Sequence, residues 1–176
     1  PPAAVRRLIN QGAATPVLIV QGAIYPEGRF KPILIKGIDP AQSIVDYPSR
    51  LLEADSDEIP VLIGTRMASS SGLGAGDSFV LQWRDRNGTF DAQDAVVIDV
   101  VRTSVQSVDK GQVWVPLERL RSMTGMGAEA TMVVLSATSA ASGGADNALA
   151  SGSADPSSQW TFKDQAYLLR DIRVLI

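Results

Sequence analysis

The stretch Pro60 to Leu81, PVLIGTRMASSSGLGAGDSFVL, carries the reading of the fold. Pro60 to Gly64 is a short apolar run that predicts a buried strand. Thr65 to Ser71 predicts a short helix that turns Met67 and Ala68 inward. Gly72 to Asp77 (GLGAGD) predicts a tight turn, with glycines at positive φ and Asp77 capping backbone amides. Ser78 to Arg86 then alternates Phe79, Leu81 and Trp83 with Ser78, Gln82 and Arg84, the pattern of a half-buried strand. A strand, a short helix, a glycine turn and a further strand follow one another within about two dozen residues.

Working outward, Asn87-Gly88 is a strong hairpin signal, and Thr89 to Thr103 supplies the return strand, centred on Ala95 to Val101. Upstream, Ala3 to Gln11 has helical character and stops at Gly12. Pro16 to Tyr25 and Lys31 to Ile38 form a strand pair around a Tyr25 to Phe30 turn. Their continuous apolar runs predict cover on both faces. Asp39-Pro40 suits a helix start, so a helix is expected over Ala41 to Ala54, broken near Tyr47 by Pro48. Downstream come a turn at Val108 to Gln112, extended Val113 to Val115, a helix from Pro116 to about Met123, and a strand at Thr131 to Ala137.

Ser139 to Gln159 is almost entirely Ala, Ser, Gly, Asp and Asn. Such a segment buries too little apolar surface to offset its ordering entropy, and an exposed, mobile loop is expected. Phe162 to Ile176 places Phe162, Ala166, Leu169 and Ile172 at helical spacing, with a strand at Tyr167 to Ile176 as the competing reading. The sum is an α+β chain with mixed, mostly antiparallel sheets in two small lobes, an α/β lobe and a β-rich lobe over about 60–115. All 176 residues are read as a single domain.

Composition restricts the chemistry. The net charge is −3, and basic residues are scattered, so no electrostatic footprint for nucleic acid exists. Cysteine and histidine are both absent. This removes thiol nucleophiles, Ser-His-Asp triads and the usual zinc sites. Asp55 to Glu58 lacks the ligand alternation and turn glycine of a calcium loop and reads as solvated surface. No window approaches the roughly 20 apolar residues that span a bilayer. The chain starts at Pro1 without a signal-peptide pattern and stops on Val174, Leu175 and Ile176 without a cap, which favours a domain excised from a longer protein.

Several constellations imitate functional sites. Gly72, Gly74 and Gly76 are spaced G-x-G-x-G, which is neither a dinucleotide fingerprint nor a Walker A loop, and a strand follows rather than a helix. Ser69, Ser70 and Ser71 lack a base unless Lys36, Lys110 or Lys163 supplies one. Asp91, Asp94 and Asp99 line the return strand, and equal parity would put Asp91 and Asp99 on one face. They read as its solvent side rather than a glycosidase pair. Trp83 and Trp114 read as core, and Trp160 as packing for the last helix. Asn87-Gly88-Thr89 matches a glycosylation sequon that the hairpin turn already explains. No catalytic, cofactor-binding or metal-binding residue is assigned, and no cofactor is expected.

One ordered series remains: K-G-I-D-P at Lys36 to Pro40, P-V-L-I-G-T-R-M-A at Pro60 to Ala68, G-L-G-A-G-D-S-F-V-L at Gly72 to Leu81, V-D-K-G-Q-V-W-V-P-L-E-R-L at Val108 to Leu120, and T-M-V-V-L at Thr131 to Leu135. Over roughly Pro16 to Leu135 it resembles the periplasmic core domain of MacB-like and LolC/LolE-like ABC permeases, the FtsX-type family. The resemblance implies a further strand and helix ahead of the region matching residues 1–15, so these residues are expected to begin inside the domain.

The resemblance implies an extracytoplasmic domain on the periplasmic side of the inner membrane, without an active site, set between two transmembrane helices. Phe162 to Ile176 would lead toward the second of these. It implies coupling of ATP-driven motion to export or release of a lipoprotein, lipid, peptide or drug. The implied partners are a cytoplasmic ABC ATPase, a second permease copy and a periplasmic adaptor or lipoprotein. Gly37, Asp39, Pro40, Gly64, Gly76 and Asp77 would be structural. The alternative reading is a stand-alone peptide- or lipid-binding module, and a third is an enzyme built on carboxylates and hydroxyls.

Overall fold

The computed structural model describes residues 3–54, 56–102 and 111–136. The chain divides into two units, residues 1–14 with 135–176, and residues 15–134. In the first unit, helix α1 (Ala3–Asn10) buries Val5 and ends where Gly12 adopts a left-handed φ of 69°. Ser136 N donates to Ala13 O at 2.9 Å. The expected loop at Ser139 to Gln159, Trp160 and the helix at Phe162 to Ile176 lie outside the described residues, as do Asp55 and residues 103–110.

The second unit is built on strands. β1 (Ala14–Ile24), β2 (Lys31–Ile38), β3 (Ile59–Gly64), β4 (Ser78–Arg84), β5 (Phe90–Val101), β6 (Gln112–Pro116) and β7 (Met132–Leu135) are joined in the order β2-β6-β3-β5-β4-β1-β7. β1 also pairs with β2, so six strands close on themselves and β7 flanks β1. The pairs β1–β2, β1–β4, β3–β6 and β4–β5 are antiparallel, whereas β2–β6 and β3–β5 are parallel. The mixed, mostly antiparallel character is as expected. The strands before and after residue 60 belong to this single ring, so the described residues do not separate into an α/β lobe and a β-rich lobe.

Alternation decides which side chains fill the ring. Leu18, Val20, Ile24, Ile33, Ile35, Ile59, Val61, Ile63, Leu81, Val97, Val113 and Val115 form one buried cluster with Met67 of α2 (Thr65–Ser71) and Leu117 and Leu120 of α3 (Leu117–Thr124). Each such aliphatic side chain contributes roughly 1.5–3 kcal/mol on burial. The outward residues Val17, Ile38, Leu62 and Trp114 form a second cluster, covered by Val45, Tyr47 and Leu52. The two clusters explain why β2 and β3 read as continuous apolar runs.

The helix expected over Ala41 to Ala54 does not form; only a short 3-10 turn at Ser49–Glu53 is present. Side chains capture the backbone instead. Asp39 Oδ1 accepts Ala41 N at 2.9 Å, and Gln42 Oε1 accepts Ile44 N at 2.9 Å and Val45 N at 2.7 Å. Gln42 Nε2 donates to Val45 O and to Ser49 Oγ, both at 3.0 Å. These local bonds compete with a helical ladder, and Pro48 prevents its recovery. The segment thereby lies as an irregular strap over the outer cluster.

Closure of the ring needs a glycine. Gly22 of β1 registers with Ile33 on β2 and with Trp83 on β4. A Cβ there would lie 2.5 Å from Gln82 O and 2.5 Å from Ile35 Cδ1. Since one obstacle is backbone, Gly22→Ala is expected to lower unfolding free energy toward the upper end of roughly 1–3 kcal/mol. Urea denaturation checks this, and an unchanged midpoint would show that β4 can give way.

Candidate functional site

The nominated glycine loop is architecture. Gly72 ends α2 at φ 71° and Gly76 turns at φ 89°. Asp77 Oδ2 accepts Gly74 N at 2.7 Å, Asp77 N donates to Gly74 O at 3.2 Å, and Gly76 N donates to Val97 O at 2.7 Å. The loop's polar groups are thus turned onto one another and onto β5.

The three serines return their hydroxyls to α2: Ser69 to Thr65 O at 3.0 Å, Ser70 to Met67 O at 3.1 Å and Ser71 to Met67 O at 2.6 Å. Lys31, which sequence reasoning did not single out, donates to Ser70 Oγ. Lys110 and Lys163 lie outside the described residues. Lys36 instead sits on the outer side of β2, its Nζ 5.0 Å from the centre of the Trp114 ring, which in turn meets Tyr47 at 4.8 Å. Burial pulls the Lys36 pKa below 10.5, because a half-buried ammonium loses hydration.

The expectation that Asp91 and Asp99 share a face is corrected by a bulge. Val61 registers with Val97, but Leu62 registers with Asp99, which leaves Ile98 as an extra residue in β5. The extra residue reverses parity. Asp91 therefore stands on the side of its partner Trp83, in the inner cluster, and Asp99 on the side of Leu62, in the outer one. No carboxylate pair is assembled from these two.

Trp83 and Trp114 are buried as expected. Trp83 also ties strand to helix, since its Nε1 donates to Met123 O at 2.9 Å. Arg86 N donates to Thr124 O at 3.0 Å, and the Arg86 guanidinium reaches Gly125 O at 3.3 Å. The end of α3 is thus fastened to the β4–β5 hairpin. The hairpin turn itself is held by Asp85 Oδ1, which accepts Asn87 N at 2.8 Å and Thr89 N at 2.7 Å.

A different surface has the shape of a site. Outside the ring, Ala23 registers with Pro32 on one side and Gln82 on the other, and Gln21 registers with Leu34. Registered residues share a face, so Pro32, Ala23 and Gln82 form a floor across β2, β1 and β4. Pairing of β1 with β4 stops at Gly22–Trp83, and Gln21 and Arg84 beyond it are not registered. The surface there opens into a groove of about 690 Å³.

Its rims are aromatic. The turn after β1 uses a positive φ at Glu27 (51°) and at Gly28, and delivers Phe30 63% exposed. The Phe30 ring stands edge-on to Tyr25 at 5.7 Å, and Tyr25 OH donates to Gln82 Oε1 at 2.9 Å. On the opposite rim, Phe90 is 66% exposed and lies under the guanidinium of its cross-strand partner Arg84, at 5.4 Å. Leu34 adds a partly exposed aliphatic side chain. Sequence reading missed this groove. Phe30 closes the turn before β2 and Phe90 opens β5, but their joint rim depends on long-range register.

No family model and no curated protein sequence matches the chain. Among solved structures, it is similar to the extracellular domain of the noncanonic ABC-type transporter YknZ from Gram-positive bacteria. The sequence identity is 15% and the TM-score 0.51, over 79% of this chain and 75% of that one. At this identity the likeness is one of fold.

Because the Lys36 pKa is lowered from 10.5, the unfolded chain holds a proton over a pH window where the folded chain has released it. Stability therefore gains as pH rises through the folded value toward 10.5. Lys36→Met is expected to raise the urea midpoint at pH 7, with an advantage that shrinks as pH approaches 10.5. A gain that stays constant with pH would show that desolvation of the ammonium is not its source.

Proposed function

We propose that the chain is the extracytoplasmic domain of an ABC transporter permease, worked by a separate or fused cytoplasmic ATPase and carrying no catalytic centre of its own. The observation that carries this reading is the fold likeness to a transporter's extracellular domain over 79% of the chain. Two features support it. The ordered motifs Lys36 to Pro40, Pro60 to Ala68 and Gly72 to Leu81 fall at structural joints: the exit from β2, the β3–α2 step and the α2–β4 turn. The residue sets that would suggest chemistry, the α2 serines and the Gly72 to Asp77 loop, are engaged by backbone.

In its finer form the proposal is a MacB-like or LolC/LolE-like permease of the FtsX type. It would act on the periplasmic side of an inner membrane, with a second permease copy and an adaptor or lipoprotein as partners. Its cargo would be a lipoprotein, lipid, peptide or drug. A stand-alone peptide- or lipid-binding module is the second reading, favoured by the aromatic-rimmed groove.

These 176 residues hold no cysteine, so once any cysteines elsewhere in the full-length product are replaced, one introduced at exposed Phe90 reports sidedness cleanly. In intact cells making the full-length gene product, F90C is expected to react with a membrane-impermeant maleimide. Labelling only after lysis would overturn the assignment to the outer side. Purification of the full-length product is expected to bring down an ATPase, or to show ATPase activity of its own. Absence of both would favour the stand-alone module.

A further inference from the structure

We infer that the groove over β2, β1 and β4 binds a single amphiphilic molecule with an apolar body and one anionic group. Its volume, about 690 Å³, falls within the roughly 300–1,000 Å³ of small-molecule sites. Phe30, Leu34 and Phe90 leave apolar surface open to water on its rims, while Ala23 and Pro32 form a shallow apolar strip of floor between the amides of Gln21 and Gln82.

Charge chooses the other half of the ligand. In a chain of net charge −3 the lining holds, among the described residues, one cation, Arg84, and no acidic residue. Arg84 Nε donates to Gly88 O at 2.8 Å, which fixes the guanidinium over Phe90. No carboxylate pairs with it among the described residues. Its remaining N–H groups form a fork suited to a carboxylate or another oxyanion. Seated at the edge of an apolar trough, that fork would hold the head of a molecule whose body lies between the aromatic rims.

An extended peptide fits less well. Leu34 N is already committed to Gly111 O at 2.8 Å, and Pro32, the next residue along that edge, has no N–H. Strand addition at β2 therefore lacks its donors. A bilayer surface fits less well too, because membrane docking draws on several basic residues and the groove's described lining offers one.

The test is calorimetric titration of the 176-residue chain with decanoate, below its micellar concentration, and with decan-1-ol. Decanoate is expected to bind saturably with one site, and decan-1-ol about tenfold more weakly or worse. Arg84→Gln is expected to remove this preference, leaving decanoate about as weak as the alcohol. Phe90→Ser is expected to weaken both ligands. Arg84 and Phe90 are exposed, so both variants should keep the parent circular dichroism spectrum. Amide shifts in an NMR titration with decanoate should centre on Gln82 and Gly111, which supports the site even if one variant is misfolded.

Equal affinity for acid and alcohol, or an unchanged R84Q, would overturn the anionic half of the inference. Absence of decanoate binding would overturn it entirely. So would binding confined to phosphatidylglycerol vesicles, or tighter binding of an acidic apolar octapeptide. The measurement needs neither membrane nor ATPase, so its failure leaves the permease proposal standing, and failed surface labelling leaves the groove's chemistry standing.

Discussion

β1 must serve three neighbours with two edges, and the described structure depends on how it does so. One edge runs along β2 from Val17 to Ile24. The other is shared: its C-terminal end pairs with β4 at Gly22 to Ile24, and near its N-terminal end Thr131, beside β7, takes Val17 and Ile19. The handover falls next to Gly22, where the Gln82 carbonyl and the Ile35 side chain occupy the space a Cβ would need. Without that approach β4 could not meet β1, the ring would stay open, and the inner aliphatic cluster would face water. The same departure of β1 from β4 creates the groove, so the site is a by-product of closure.

Much of this order is written in local pattern. The alternation of Phe79, Leu81 and Trp83, the unbroken apolar runs of Pro16 to Tyr25 and Lys31 to Ile38, and the glycine turn before Ser78 each follow from one side chain's relation to its immediate neighbours. Three things were not legible because they depend on partners distant in sequence or on competition. The Ala41 to Ala54 segment has helical spacing, but Gln42 offers its backbone better-placed acceptors and donors. The bulge at Ile98 appears only when β5 is laid against β3, and it separates two aspartates that a count of residues would align. The closure of strands on both sides of residue 60 into one ring required the parallel pairing of β2 with β6 and of β3 with β5, which no local signal announces.

The groove was illegible for the same reason. Phe30 and Phe90 lie sixty residues apart and look like an unremarkable turn end and strand start. What unites them is the registered row Pro32, Ala23, Gln82. By contrast, the residues that did attract functional attention, the α2 serines and the Gly72 to Asp77 loop, are polar because turns and helix ends need polar groups to satisfy backbone.

The fastening of Trp83 and Arg86 to the end of α3 has a mechanical consequence. It joins the hairpin that carries Arg84 and Phe90 to a helix whose Leu117 and Leu120 pack closely on Gly37 of β2. The opposite bank, Phe30 and Leu34, belongs to the β1–β2 hairpin. Between the two banks run only the three registered pairs from Gly22–Trp83 to Ile24–Leu81, against eight between β1 and β2. The shorter seam is the more compliant one. α3 spans the two banks, on β2 at Gly37 and on the hairpin at Trp83 and Arg86, and so works as a brace across the short seam that keeps the groove's width.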